Sequence, residues 1–263
     1  MDLELVGRRA FISGSTQGIG AAIAEVLLIE GASVVINGRS QERVDARVES
    51  LRSAHPGSDV MGIAADLEDA GQTQTLLDRL GPVDILVNNA GVFEMTEFSA
   101  ISDEEWQRYL QTNLMSGVRL SRHLLPGMLE RDWGRILFIA SESGVDVPPG
   151  MIHYGVTKAA VLALGNGLAK LTRGTQVTVN TILGGPTYSD GVAQAIEKIA
   201  RAQGAAPGDL KAAIAAQNRT SLLERFLEPA EIASLAAYLV SPVASATNGA
   251  ALRADGGTLT TTL

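Results

Sequence analysis

Tyr154 and Lys158 stand four residues apart, and Ser141 precedes the tyrosine by thirteen. On a helix, positions i and i+4 share one face, one turn apart. An ammonium held there favours the ionised phenol, which makes a tyrosine a proton donor or acceptor near neutral pH. A serine hydroxyl nearby could orient and polarise the substrate oxygen. A second piece of chemistry lies earlier, in Ser13-Gly14-Ser15-Thr16-Gln17-Gly18-Ile19-Gly20. Glycines allow a tight turn and close backbone approach, and the helix that follows offers unpaired N–H groups to a pyrophosphate. Cofactor contacts are expected from Gly14, Ser15, Gln17, Gly18, Ile19 and Gly20. The spacing is G-x3-G-x-G rather than the commoner G-x-G-x-x-G, and such a turn alone also fits a plain strand-to-helix connection. Together with the Tyr–Lys pair it points to hydride transfer coupled to proton transfer.

About twenty residues beyond the turn, a chain selecting NAD places an acid for the ribose 2′-hydroxyl. Here the segment reads Asn37-Gly38-Arg39-Ser40, with no acid. Arg39 can pair with a 2′-phosphate through its guanidinium fork, so the expected cofactor is NADP(H). The other reading of Arg39 is a solvated charge that starts the next helix.

Other chemistries are disfavoured by composition. The chain has 263 residues, 46% of them hydrophobic and 19% charged, which describes an ordinary globular protein. It has no cysteine, and His55, His123 and His153 lie far apart, so no metal site is expected. A net charge of −8 with dispersed Lys and Arg argues against nucleic acid. No apolar run is long enough to span a membrane, and the acidic start MDLELVGRR lacks an apolar signal core, so a soluble cytoplasmic protein is expected.

Short β-rich runs alternate with helical patterns, the signature of βαβ units around a parallel sheet. Strands are expected at 9–13, 33–37, 60–64, 85–88, 135–140, 176–182 and 250–253. Helices are expected at 18–30, 41–54, 71–79, 103–130, 154–171 and 229–240. The expected fold is α/β: one doubly wound, parallel, seven-stranded Rossmann sheet with helices on both faces, forming a single domain over 1–263. The Ala- and Gln-rich stretch 186–228 breaks the alternation after the sixth strand. It reads as a helical substrate lid, or as a fixed helical hairpin covering the core.

With these pieces in order, the chain resembles the short-chain dehydrogenase/reductase family over nearly its whole length. The glycine turn matches that family's T-G-x3-G-x-G with Ser13 for threonine, and Asn88-Asn89-Ala90-Gly91 matches its N-N-A-G segment. Tyr154-Gly155-Val156-Thr157-Lys158 matches Y-x3-K. The resemblance implies a catalytic tetrad of Asn113, Ser141, Tyr154 and Lys158. In it Tyr154 exchanges the proton, Lys158 lowers the tyrosine pKa and binds the nicotinamide ribose, and Asn113 holds a water linking Lys158 to solvent. It further implies cofactor contacts from Asp66 at the adenine and from Asn88, Ala90 and Gly91. Where the family usually shows Pro-Gly after the sixth strand, this chain has Gly184-Gly185. Gly185 and either Ser189 or Thr187 are then expected to hold the carboxamide side.

The pocket is expected to be lined by Phe93, Ser141, Ser143, Val145, Met151, Tyr154 and Tyr188, suiting a ketone or aldehyde of moderate size. Phe93 and Met151 fit a plain core role equally well. The chain also resembles the β-ketoacyl-acyl-carrier-protein reductases of this family. Only Arg131, Lys170 and Arg173 offer positive charge for an acidic carrier, so a free small carbonyl compound or alcohol is favoured. Gly155, Ala159, Ala160, Ala163, Gly165 and Gly167 permit close helix approach, either to the chain's own sheet or to a symmetry mate. Family members usually associate, so a homotetramer is expected. Two rivals stay open: an NAD-dependent alcohol or hydroxyacyl dehydrogenase, and a catalytically silent NADP(H)-binding regulator.

Overall fold

Ala10, Phe11 and Ile12 are all fully buried, as a strand covered on both faces requires. They form β1 (Arg9–Ile12), followed by β2 (Ser33–Gly38), β3 (Val60–Ala64), β4 (Ile85–Asn88), β5 (Gly134–Ser141), β6 (Val177–Gly184) and β7 (Ala251–Ala254). In this computed structural model, which describes residues 2–218 and 220–262, all seven run parallel in one sheet of order β3-β2-β1-β4-β5-β6-β7. The expected domain span 1–263 and the segment 186–228 are therefore described without Met1, Arg219 and Leu263. Ala10 pairs with Val34 on one side and Ile85 on the other, so the winding reverses at β1. That reversal opens a crevice at the carboxyl ends of β1 and β4, where α/β sheets bind ligands.

The helices are α1 (Gly18–Ile29), α2 (Gln41–Ala54), α3 (Ala70–Leu80), α4 (Asp103–Tyr109), α5 (Ser116–Glu130), α6 (Ile152–Leu171), α7 (Asp190–Gln203), α8 (Pro207–Gln217) and α9 (Pro229–Val240). Leu27 of α1, Val44 of α2 and Ile232 of α9 bury against one face of the sheet. Leu76 of α3, Leu120 of α5 and Val161 of α6 bury against the other. Truncating Leu27, Ile232, Leu76 or Leu120 to Ala would cost about 2–5 kcal/mol. Starts are marked locally: Ser40 accepts from the Arg43 N–H, and Asp69 accepts from Gly71 and Gln72.

The structure departs from the expected elements in places that matter for the site. The single helix expected over 103–130 is interrupted by a π-helical turn, Leu110–Met115, between α4 and α5. Helix α6 starts two residues before Tyr154, which places that tyrosine in its first turn. Strand β5 runs on to Ser141 because its ladder with β6 continues to the Ser141–Gly184 pair, past the apolar run. The segment 186–228 holds α7 and α8, joined through Gly204 in a left-handed conformation.

Candidate active site

Ser141 is the last residue of β5, and Tyr154 and Lys158 stand one turn apart on α6. Asn113 lies in the π-helical turn, and its amide explains why the helix opens there. Its Oδ1 accepts from the Val92 N–H at 2.8 Å, and its Nδ2 donates to the Val92 carbonyl at 3.0 Å. Nδ2 also donates to Thr157 Oγ1 at 3.0 Å, whose hydroxyl in turn donates to the Tyr154 carbonyl. Asn113 therefore ties the loop after β4 to α6 by direct hydrogen bonds.

Lys158 is almost fully buried, and its Nζ donates to the Ile139 carbonyl at 2.8 Å. Burial lowers its pKa to about 8. The expectation that Lys158 depresses the tyrosine is not met in this structure. Desolvation raises the Tyr154 phenol above its ordinary value, while the adjacent Ser141 hydroxyl acts in the opposite direction. The physical reason is the lysine's position: Nζ sits 5.5 Å from the tyrosine ring centre and turns one of its three donors to β5 rather than to the phenol.

Sequence reasoning passed over Glu142. Its carboxylate accepts from Ser141 Oγ at 2.5 Å and from Ser143 Oγ at 3.2 Å. Burial pushes its pKa up, and its charge opposes ionisation of Tyr154 while favouring the Lys158 ammonium. An acid following Ser141 was the available signal, and the motif gives no role to that position.

The glycine turn is built as expected. Gly14 and Gly18 take positive φ, which favours glycine. A Cβ on Gly20 would fall 2.4 Å from Asn89 Nδ2 and 2.6 Å from the Gly14 carbonyl. Asn89, Asn37 and Ser13 were also missed as staples of this turn. Asn89 Nδ2 donates to the Ser13 and Gly14 carbonyls, Ser13 Oγ accepts from the Asn89 and Ala90 N–H groups, and Asn37 Oδ1 accepts from Gly14. Ser15 is wholly buried, with its Oγ donating to the Ile12 carbonyl, and Ile19 packs against the core. Gln17 caps α1 without a side-chain bond, and Arg43 reaches back to its amide oxygen. The first turn of α1 carries no acid of its own. Instead Asp190, at the start of α7, accepts from the Gly18 N–H at 2.6 Å.

The other expected cofactor residues divide. Arg39 is exposed directly after β2, and Asp66 follows β3 and accepts from the Glu68 N–H. Gly91 faces both Asn113 Oδ1 and Lys158 Nζ. The Asn88 amide, at the end of the central strand β4, instead donates to Ser121 on α5. Gly185 is required sterically, since a Cβ would lie 2.6 Å from Asp255. Thr187 is buried and donates to the Gly185 carbonyl, whereas Ser189 touches Gly18 at the turn.

Of the expected pocket residues, Phe93 meets Tyr154 edge-on, with ring centres 6.3 Å apart. Met151 is half-buried, and Val145 is exposed at the rim. Ser143 is buried beneath Ser141. Tyr188 is held within the helical segment, under the Lys211 ammonium of α8 and against Phe226. Among the described residues there is no metal-binding cluster and no helix long and apolar enough to cross a membrane.

A profile of the short chain dehydrogenase family matches residues 8–200. The chain belongs to that family. Among family members, the uncharacterized oxidoreductase YvrD of Bacillus subtilis is 45% identical over 261 residues, covering 98% of each chain. The 3-oxoacyl-acyl-carrier-protein reductase FabG of Vibrio cholerae is 32% identical, covering 97% of this chain and 98% of its own. L-Sorbose reductase from Gluconobacter frateurii, solved with NADPH and L-sorbose, superposes with a TM-score of 0.94. It is 32% identical and covers 99% of this chain and 100% of its own. The protein is thus an oxidoreductase of the short-chain dehydrogenase family with the seven-stranded Rossmann sheet of its relatives.

Proposed function

We propose that this dehydrogenase interconverts a small ketone or aldehyde and its alcohol, using NADP(H). The observation that carries the reading is the convergence of Ser141, Tyr154 and Lys158 at the carboxyl end of β5. The residues present fit the dinucleotide. The N-terminus of α1 has no side-chain cap and no acid in its first turn, and its Gly18 N–H already donates to an oxyanion, the Asp190 carboxylate. Gly14, Gly18 and Gly20 let backbone come close, Lys158 would hold the ribose, and Arg39, with Arg43 beside Gln17, supports a 2′-phosphate. The NADPH found with the sorbose reductase agrees with that preference. The bound nicotinamide supplies the hydride.

The chain's own groups do the rest. Tyr154 is held protonated by desolvation and by the charge of Glu142, so its O–H is the donor form that a carbonyl oxygen needs on reduction. Ser141 orients that oxygen, and the Lys158 ammonium supports the phenolate left after proton transfer. Asn113 fixes α6 against the loop after β4, which keeps Tyr154 in register. In the oxidative direction the phenolate takes the proton, and its raised pKa predicts that oxidation speeds up with rising pH. The helical segment with α7 and α8 then acts as a substrate lid beside this crevice.

The test is optical: oxidation of NADPH, and separately NADH, against ketones, aldehydes and β-ketoesters. Turnover with NADPH preferred is expected. Tyr154→Phe should lose about 10²–10⁴-fold in kcat while still binding NADPH. Tight NADPH binding with no tyrosine-dependent turnover across the panel would favour the regulator instead.

A further inference from the structure

In carbonyl reduction as proposed, Ser141, Tyr154 and Lys158 meet the reacting groups, and Glu142 acts only through its charge on Tyr154. Yet Glu142 occupies the turn immediately after Ser141 and holds the one proton that serine can donate, Oγ to Oε2 at 2.5 Å. One of the two acceptor positions of the Ser141 hydroxyl is taken as well, since the Ser143 N–H donates to the same Oγ at 3.2 Å. The turn cannot drift to release it. A Cβ on Gly144 would lie 2.9 Å from the Lys158 carbonyl carbon, so the turn rests directly on α6.

This arrangement discriminates among carbonyl compounds. A plain ketone offers only an acceptor, and it must compete with a carboxylate for the Ser141 proton. Hydrogen bonds to a charged acceptor are about twice as strong as neutral ones, so the carboxylate holds the advantage. A substrate with a hydroxyl on the carbon beside the carbonyl brings its own donor. That hydroxyl stands about one hydrogen-bond length from the carbonyl oxygen. It can satisfy Glu142 and free the Ser141 proton to turn to the carbonyl. We infer that Glu142 is a specificity residue that selects α-hydroxy carbonyl compounds by accepting a hydrogen bond from the substrate hydroxyl.

The inference rests on the carbonyl-reductase reading and deepens it. The product is a vicinal diol: the carbonyl carbon gains a hydride from NADPH, which is oxidised to NADP⁺, and the oxygen gains the Tyr154 proton. A mostly buried carboxyl that burial drives upward in pKa is a burden on stability, which fits a group kept for recognition.

The experiment measures kcat/KM with NADPH for two matched pairs, hydroxyacetone against acetone and acetoin against butanone. The parent is compared with Glu142→Val, Glu142→Gln and Glu142→Asp, each checked for fold by circular dichroism. The parent should prefer the hydroxy ketone in both pairs. In Glu142→Val that preference should fall by at least about tenfold, because an apolar pocket discriminates only weakly for a hydroxyl. Glu142→Gln keeps an acceptor oxygen and the side-chain shape, and it should fall in between; Glu142→Asp should recover part of the preference. A parent that prefers the plain ketones, or a preference unmoved in Glu142→Val, overturns the role of Glu142 and leaves carbonyl reduction standing. No turnover of any of the four by the parent also overturns it, whereas carbonyl reduction itself fails only if the wider Tyr154-dependent panel is silent.

Discussion

Arg39 follows β2 directly and is exposed, so its guanidinium is free to meet an anion beyond the ribose. Arg39→Glu should reverse the NADPH-over-NADH preference in kcat/KM, losing about ten- to hundredfold with NADPH, the value of one charge-assisted contact. An unchanged ratio would assign the 2′-phosphate to Arg43. Glu142 makes a pH-dependent contribution whose sign can be worked out. Its folded pKa lies above its unfolded value of 4.5, so its contribution is present in full below that value and is lost as pH rises through the folded one. Glu142→Gln should therefore raise Tm relative to the parent near neutral pH, and the gap should close below pH 4.5, as thermal scans in acid and neutral buffer can check. Tyr154, Lys158 and Ser141 could be named from spacing because the family motif carries their identity. Glu142 could not, because nothing in one sequence says that a carboxylate beside a serine turns back onto its hydroxyl.

Among the elements, the glycine turn and the π-helical turn contrast. The first was readable because glycine is itself the signal for close approach. Gly20→Ala places a methyl against Asn89 and the Gly14 carbonyl, and should cost about 1–3 kcal/mol in stability and weaken NADPH binding by calorimetry. Binding and stability equal to the parent would show that the turn has slack the distances do not suggest. The second was not readable, since the run from Asp103 onward has an unbroken helical pattern. Its opening depends on Asn113 reaching the Val92 backbone, 21 residues earlier in the chain. Helices α7 and α8 show a third case. Their composition announced helices, but only packing shows Asp190 reaching across to the Gly18 N–H.

For the whole molecule, the small residues of α6 sort into two sets. Gly155 is pressed against Val147 and the Ser143 carbonyl, and Gly165 against Thr181 and Phe138, so both serve the chain's own core. Val156, Ala159, Ala163 and Gly167 form an exposed stripe on the opposite side. That stripe suits the homotetramer expected from the resemblance. Gly167 has nothing within 4 Å of a Cβ, so Gly167→Arg should leave the isolated chain folded, with a gain in helix propensity. It should dissociate the assembly, lowering the mass seen by light scattering. A monomeric parent, or a variant that associates as the parent does, would remove this stripe from the interface.

Residue order in this chain settles the sheet, the glycine turn and the Tyr–Lys pair, because each is a local matter of periodicity, backbone freedom or helical spacing. It leaves undecided which polar groups meet across the fold. The Lys158 ammonium going to Ile139, the Asn113 amide to Val92 and Asp190 to the α1 N-terminus are contacts between segments 19, 21 and 172 residues apart. Glu142 needs no such distance, yet its partners are set by how β5 ends against α6. Buried polar groups must find partners wherever packing brings them, and that choice exists only once the chain has folded.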